Sequence, residues 1–402
     1  MTRVVITGMG AVSAAGVGAD ALWQACATGQ SAVREVLFEG IPNQKVKFGA
    51  ALDPLDVQRL TKPNEARFQD RIAIISRAAG REAVAQAGWG EDDFDDRCGI
   101  VFGSGFGGAE TLDDSYRTFL KDTALRLDPI AIPKIMANAS ASWLAMEFGV
   151  LGPTYCISTA CSSAGQSIGL ATQLIKAGII DRCLAGGAEA CLVTGTFRAW
   201  ELLRVMSPNL CRPFSKNRNG MVLGEGAGVL TLESLESAVA RGAPILAEIA
   251  GYGSSSDAGD LLRPDKDGAA RAMQQALNQS GLSPEQIGYV NAHGTGTIAN
   301  DKTEAAAIHQ VLGEGSQAYM VSSTKPIHGH ALGAAGALEL IVTVFALNRQ
   351  LAPPTINFEE FDPAVGLDPV SNTARPMDTM ACMSNSFAFG GINASLLISK
   401  PQ

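Results

Sequence analysis

Cys161 is the residue in this chain best placed for covalent chemistry. It sits in Ser158-Thr159-Ala160-Cys161-Ser162-Ser163-Ala164-Gly165, between a strand-like run at 153–157 and a helical pattern that puts Ile168, Ala171, Leu174 and Ile175 on one face. A nucleophile at a tight strand-to-helix turn is presented to substrate, and the free amides at the helix start can hold a developing oxyanion. The helix macrodipole contributes about 0.3–1 kcal/mol, whereas one pKa unit is about 1.4 kcal/mol, so the dipole alone does not make a reactive thiolate. A neighbouring imidazole is needed. Among four histidines, two lie in glycine-rich passages just past predicted strands: His293 in Val290-Asn291-Ala292-His293-Gly294-Thr295-Gly296-Thr297, and His330 in Lys325-Pro326-Ile327-His328-Gly329-His330-Ala331-Leu332-Gly333. His309 falls inside a predicted helix and reads as a packing or surface residue, and His328 as a supporting one. A cysteine with two imidazoles suits acyl transfer through a thioester.

The elements that must position these groups are short β-branched runs alternating with longer helical patterns, as in an α/β protein with buried strands. Strands are predicted at 3–7, 98–102, 182–185, 228–232, 245–251, 287–291 and 320–322, and helices at 20–28, 69–86, 162–177, 268–280 and 302–312. Cys161, His293 and His330 all follow strands, where ligands gather in open α/β sheets. Arg241-Gly242-Ala243-Pro244 marks a boundary that divides the chain into 1–243 and 244–402. No sequence repeat relates the two parts.

Composition excludes several classes. The chain has 402 residues, 46% hydrophobic and 18% charged, enough apolar material for a large core. A net charge of −9 argues against nucleic acid as partner. The apolar run 338–347 contains Glu339 and is too short to span a bilayer, and no export signal is visible. Eight scattered cysteines without a CxxC pair fit free thiols in a reducing cytoplasm. Gly103-Ser104-Gly105-Phe106-Gly107-Gly108 matches GxGxxG after a strand, but no clear strand-ending acid follows at the fingerprint distance, and Gly220–Gly228 lacks the Lys-Ser/Thr of a P-loop. These glycines read as turn and packing residues, and a nucleotide-binding dehydrogenase rests on them alone.

The motifs around Cys161, His293 and His330, with Val4-Val5-Ile6-Thr7-Gly8-Met9-Gly10 at one end and Asn385-Ser386-Phe387-Ala388-Phe389-Gly390-Gly391-Ile392-Asn393 at the other, resemble the elongating class of β-ketoacyl-[acyl-carrier-protein] synthases. The resemblance covers essentially the whole chain. It implies the α/β thiolase fold, two similar halves forming a five-layered αβαβα core, and a dimer. It also implies a role for each residue. Cys161 takes the acyl group from acyl carrier protein. His293 and His330 assist decarboxylation of the malonyl extender and stabilise the enolate. Lys325 and Glu339 resemble an ordering charge pair. Phe389 resembles a gate whose backbone N–H completes the oxyanion hole with that of Cys161. Thr295 and Thr297 resemble the threonines that hold the pantetheine arm, and Phe387 a substrate-contacting residue. No metal or redox cofactor is implied.

Phe106 stands where fatty-acid elongation enzymes usually carry a smaller aliphatic residue facing the acyl pocket, which predicts a shortened or reshaped tunnel. The segment 199–216 resembles those of nodulation-factor and polyene-making synthases, which points to short, unsaturated or modified chains. Carrier docking needs cationic surface, for which Lys62, Arg67, Arg71 and Arg204 are the candidates. Of the alternatives, a non-catalytic chain-length factor normally lacks the nucleophile, although such a factor could still be this chain's partner in a heterodimer. Thiolases and starter-type synthases use coenzyme A thioesters and a different triad.

Overall fold

A computed structural model describes residues 2–122, 126–313 and 319–401. Ten principal strands make two five-stranded mixed sheets. The first comprises β1 (Val4–Ser13), β2 (Cys98–Gly103), β3 (Thr154–Ile157), β4 (Arg182–Glu189) and β5 (Gly226–Ser234), ordered β1-β5-β4-β2-β3. The second comprises β6 (Ala247–Ser256), β7 (Ile287–Asn291), β8 (Met320–Ser322), β9 (Ala381–Ala388) and β10 (Ile392–Ser399), ordered β6-β10-β9-β7-β8. The two orders are the same. In each, the first strand pairs antiparallel with the fifth, the fifth antiparallel with the fourth, the fourth parallel with the second, and the second parallel with the third. The sheets meet edge to edge through Val5 opposite Glu248 and Ile6 opposite Ala247.

Five helices complete the layers. Helix α1 (Arg71–Ala87) covers the outer face of the first sheet, and α3 (Lys266–Ser280) and α4 (Ile298–Leu312) lie outside the second. Between the sheets lie α2 (Ser163–Lys176) and α5 (Ala335–Arg349). Period-two alternation serves two layers at once. Val101, Cys183, Ala185, Leu230 and Leu232 pack into the central layer, while Ile100, Phe102, Leu184, Ala188 and Val229 pack under α1. Because α5 has a sheet on both sides it is apolar nearly all round. The stretch Leu332–Arg349 is long and apolar enough to cross a membrane, with mean hydropathy 1.4, but 83% of it is buried inside the protein.

Two helices start earlier than periodicity predicts, and capping is the reason. Asp265 accepts from the Gly268 N–H at 2.8 Å ahead of α3, and Thr297 accepts from the Asn300 N–H at 3.3 Å ahead of α4.

Candidate active site

The turn between β3 and α2 passes through Ala160 at φ +50°. An alanine in this left-handed region costs on the order of 1–3 kcal/mol and persists only where neighbours fix it. Hydroxyls do so here. Ser163 Oγ donates to the Ala160 carbonyl at 2.6 Å and accepts from the Thr159 N–H at 2.9 Å, and Ser162 Oγ donates to the Thr159 carbonyl at 2.9 Å. Cys161, 5% exposed, is thereby held just ahead of α2.

His330 arrives from the other half. Its N–H donates to the Val222 carbonyl at 2.7 Å, and its own carbonyl accepts from the Gly224 N–H at 2.9 Å. With the main chain so pinned, His330 Nε2 stands 3.1 Å from Cys161 Sγ. His293 follows β7, where its N–H and that of Gly294 both donate to the buried Glu304 carboxylate at 2.7 Å. The two imidazoles meet edge to face, centroids 5.2 Å apart at 83°. Cys161, His293 and His330 share a cleft with Thr295, Thr297, Phe387 and Phe389. The Thr295 and Thr297 hydroxyls hydrogen-bond each other at 2.9 Å, and Thr297 also caps α4. Phe389 stacks on Trp200 at 5.8 Å and 21°.

Lys325, at the head of a short helix after β8, pairs with Glu339 of α5, both fully buried behind the cleft. Burial sets the charge states. It drives both imidazoles well below 6.5, with the Lys325 charge adding to the effect. It pushes the Cys161 thiol up to about 12, against the pull of Lys325. It also raises the Glu339 carboxyl to about 7, again with Lys325 opposing. The resting site is a thiol beside two neutral imidazoles.

Phe106 is 44% exposed in the single chain and is not among the residues lining the cleft, and its N–H donates to Glu189 at 3.1 Å. One expectation is corrected. Arg71 is not a free surface cation. Its guanidinium holds the buried Glu225 at 2.7 Å and approaches Glu110 at 3.6 Å, leaving the side chain 16% exposed. Lys62, Arg67 and Arg204 are exposed. Arg67 lies over the Phe68 ring at 4.4 Å, and Arg204 directly precedes the cleft residue Val205. Glu189, Glu304 and Trp200 are site residues that sequence reasoning did not single out. A glutamate in a helix or at a strand end reads as solvated, and only the apolar run before Glu189 hinted at burial.

Residues 1–238 match the family model described as β-ketoacyl synthase, N-terminal domain, and residues 246–359 the β-ketoacyl synthase, C-terminal domain. The chain belongs to the β-ketoacyl synthase family. It is 41% identical over 395 residues to nodulation protein E of Rhizobium sp. (strain N33), covering 98% of each chain. To 3-oxoacyl-[acyl-carrier-protein] synthase 2 of Synechocystis sp. it is 37% identical over 409 residues, covering 100% of this chain and 98% of the relative. Among solved structures, the ishigamide ketosynthase/chain length factor superposes with a TM-score of 0.93 at 34% identity, covering 100% of both chains. The thiolase fold and an acyltransferase of the condensing type follow for this synthase.

Proposed function

We propose that the synthase extends an acyl chain, held as a thioester on Cys161, with the malonyl group of malonyl-acyl carrier protein, giving β-ketoacyl-carrier protein and CO2. The 3.1 Å approach of His330 Nε2 to Cys161 Sγ, with His293 on the same cleft, carries this reading. In the first half-reaction Cys161 Sγ attacks the carrier thioester while its proton passes to His330 Nε2, and that proton leaves with the departing carrier thiol. In the second, the malonyl carboxylate departs as CO2 and its electron pair enters the thioester to form an enolate. The oxygen of the enolate accepts from the imidazole N–H of His293 and, once the hydrogen of the neutral ring has moved to Nε2, from that of His330. These donors meet full negative charge only as the bond breaks, so they lower the barrier more than they stabilise substrate. The enolate carbon then attacks the acyl-Cys161 carbonyl, the oxyanion is held by the backbone N–H groups of Cys161 and Phe389, and collapse expels the Cys161 thiolate, which takes a proton from solvent. The reaction balances without a metal or redox cofactor.

In this reading residues 1–243 supply the nucleophile and 244–402 the imidazoles. Lys325 and Glu339 order the site electrostatically, Phe389 gates it, and Thr295, Thr297 and Phe387 receive the pantetheine arm and substrate. The acidic carrier docks on Lys62, Arg67 and Arg204, of which Arg204 lies nearest the cleft lining in sequence. The synthase works as a homodimer or as a heterodimer with a chain-length factor. Similarity to the ishigamide ketosynthase/chain length factor supports this, as does β3, a sheet-edge strand with Tyr155 45% exposed. Eight free cysteines suit a cytoplasmic setting.

The similarity to nodulation protein E, with the likeness of segment 199–216 to such synthases, supports short, unsaturated or modified acyl chains as substrates. The test supplies malonyl-carrier protein with either saturated long-chain or short and polyunsaturated acyl-carrier proteins, and follows acyl-Cys161 and β-ketoacyl product by intact mass. Acylation at Cys161 and faster turnover of the second group are expected. A clear preference for saturated long chains overturns the substrate assignment, and absence of any acyl-Cys161 overturns the mechanism.

A further inference from the structure

The glycine-rich turn after β2 matches a dinucleotide-binding fingerprint, and the mechanism makes no use of it. Its backbone amides do surround an acidic group, and that group belongs to the chain. Glu189, at the end of β4 and fully buried, accepts from the N–H of Gly105 at 2.8 Å, of Phe106 at 3.1 Å and of Gly333 at 3.0 Å, with Ser104 Oγ at 3.5 Å. Gly105 and Gly333 are required here by close approach. A Cβ on Gly105 would stand 2.7 Å from Glu189 Oε2, and one on Gly333 would stand 2.5 Å from the Gly105 nitrogen.

The segments gathered are those that present the reacting pair. Gly333 lies three residues beyond His330, immediately after Leu332, which is held at φ +43°. A leucine in that region needs its neighbours to fix it. On the other side, the Ser104 N–H donates to the Ile157 carbonyl at 3.1 Å, tying the same turn to the strand that leads to Cys161. We propose that Glu189 is a positioning residue for the catalytic pair: its carboxylate locks the turn that carries His330 to the turn that braces the nucleophile, and so sets the Cys161–His330 separation. The proposal rests on the reading of Cys161 and His330 as the reacting groups.

Loss of the carboxylate frees three backbone amides, that of Gly333 buried, and releases Leu332 from its turn. Because a misplacement of about 1 Å can cost on the order of 100-fold in rate, Glu189→Ala is expected to lower kcat by about 10- to 100-fold. The KM for malonyl-carrier protein should stay unchanged, and alkylation of Cys161 by iodoacetamide should slow. Glu189→Gln keeps one oxygen for Gly105 and Gly333 and should recover most of the loss. Glu233→Gln serves as the control: this buried β5 glutamate pairs with Arg241 and touches no cleft residue, so it should lower Tm without changing kcat. Gly105→Ala, which displaces the carboxylate without altering Cys161 or His330, is the second variant and should move kcat and alkylation in the same direction as Glu189→Ala.

Wild-type kcat and alkylation rate in folded Glu189→Ala, or in Gly105→Ala should the first variant not fold, overturn the proposal. So does a loss no larger than that of the control at equal Tm. The alkylation readout does not require turnover, so a failure of the condensation assay itself would count against the proposed function and leave the role of Glu189 separately decided.

Discussion

The two halves lay down five strands in one order and place different chemistry at equivalent strand ends. In each, the third strand runs through a turn into a central helix. The first half puts Cys161 in that turn, between β3 and α2, and the second puts His330 between β8 and α5. In each, the turn after the second strand is held by a buried carboxylate: Glu189 binds the Gly105 and Phe106 amides after β2, and Glu304 binds those of His293 and Gly294 after β7. In one half that turn only braces, and in the other it carries an imidazole. The scaffold decides where backbone ends converge, and the side chains at those ends divide the work between nucleophile and proton-handling groups.

That division is broken most sharply by removing one half's contribution at a time. Cys161→Ala should abolish condensation, by at least about 10⁴-fold, because the covalent intermediate cannot form. Release of CO2 from malonyl-carrier protein should persist, since its donors belong to the other half. His293→Ala should do the reverse, lowering CO2 release by about 10²–10⁴-fold while acyl-Cys161 still forms. Radiolabelled malonyl and acyl groups separate the two readouts, and parallel losses in both would mean that the halves do not divide the reaction in this way.

The Lys325–Glu339 pair is buried on both sides, unlike the Arg71–Glu225 pair of the first half, whose arginine is 16% exposed, and its loss should cost stability. Lys325→Met leaves Glu339 buried without its ammonium, which costs about 3–5 kcal/mol. Burial has already raised this carboxyl from 4.5 to about 7, and without Lys325 it rises further. Wild type and variant both hold this proton in the fold up to about pH 7, but the variant keeps it at higher pH, so its deficit relative to wild type grows as pH rises above about 7. Urea unfolding at two pH values measures this, and Lys325→Met/Glu339→Leu should recover most of the loss.

The smallest effect expected is an absence of change. Both imidazoles are held well below 6.5, so lowering the pH from about 8 to about 6 leaves them neutral. The pH profile of malonyl decarboxylation should show no acid limb from the imidazoles in that window. A limb with apparent pKa at or above 6.5 that persists in Glu339→Gln, which removes the one carboxyl paired with Lys325 that stands at about 7, would mean that burial does not govern them.

Much of this was legible in the residues. The runs beginning at Cys98, Arg182 and Ile287 are apolar and short, as buried strands must be, and the small residues around Cys161 could only be a tight turn. What escaped was whatever depends on pairing. β9 contains Ser384, Asn385 and Ser386, which do not read as a buried strand until Ser395 of β10 donates to Asn385 Oδ1 at 2.9 Å. The equivalence of the halves is invisible because a sandwiched strand needs alternate apolar positions and not particular residues. The docking reading of Arg71 also failed on pairing, since its partner Glu225 lies far along the chain.

The thiol and its imidazoles come from opposite sides of the seam at Val5 and Ile6. As the chain leaves the ribosome, Cys161 emerges well before His293, and His330 and Phe389 follow later still. Until the second half has closed over α2, the sulfur lacks the imidazole that stands 3.1 Å from it in the folded chain. On the proposed mechanism a half-made molecule therefore carries an unarmed thiol, and acyl groups are not drawn onto a nascent chain that could not pass them on.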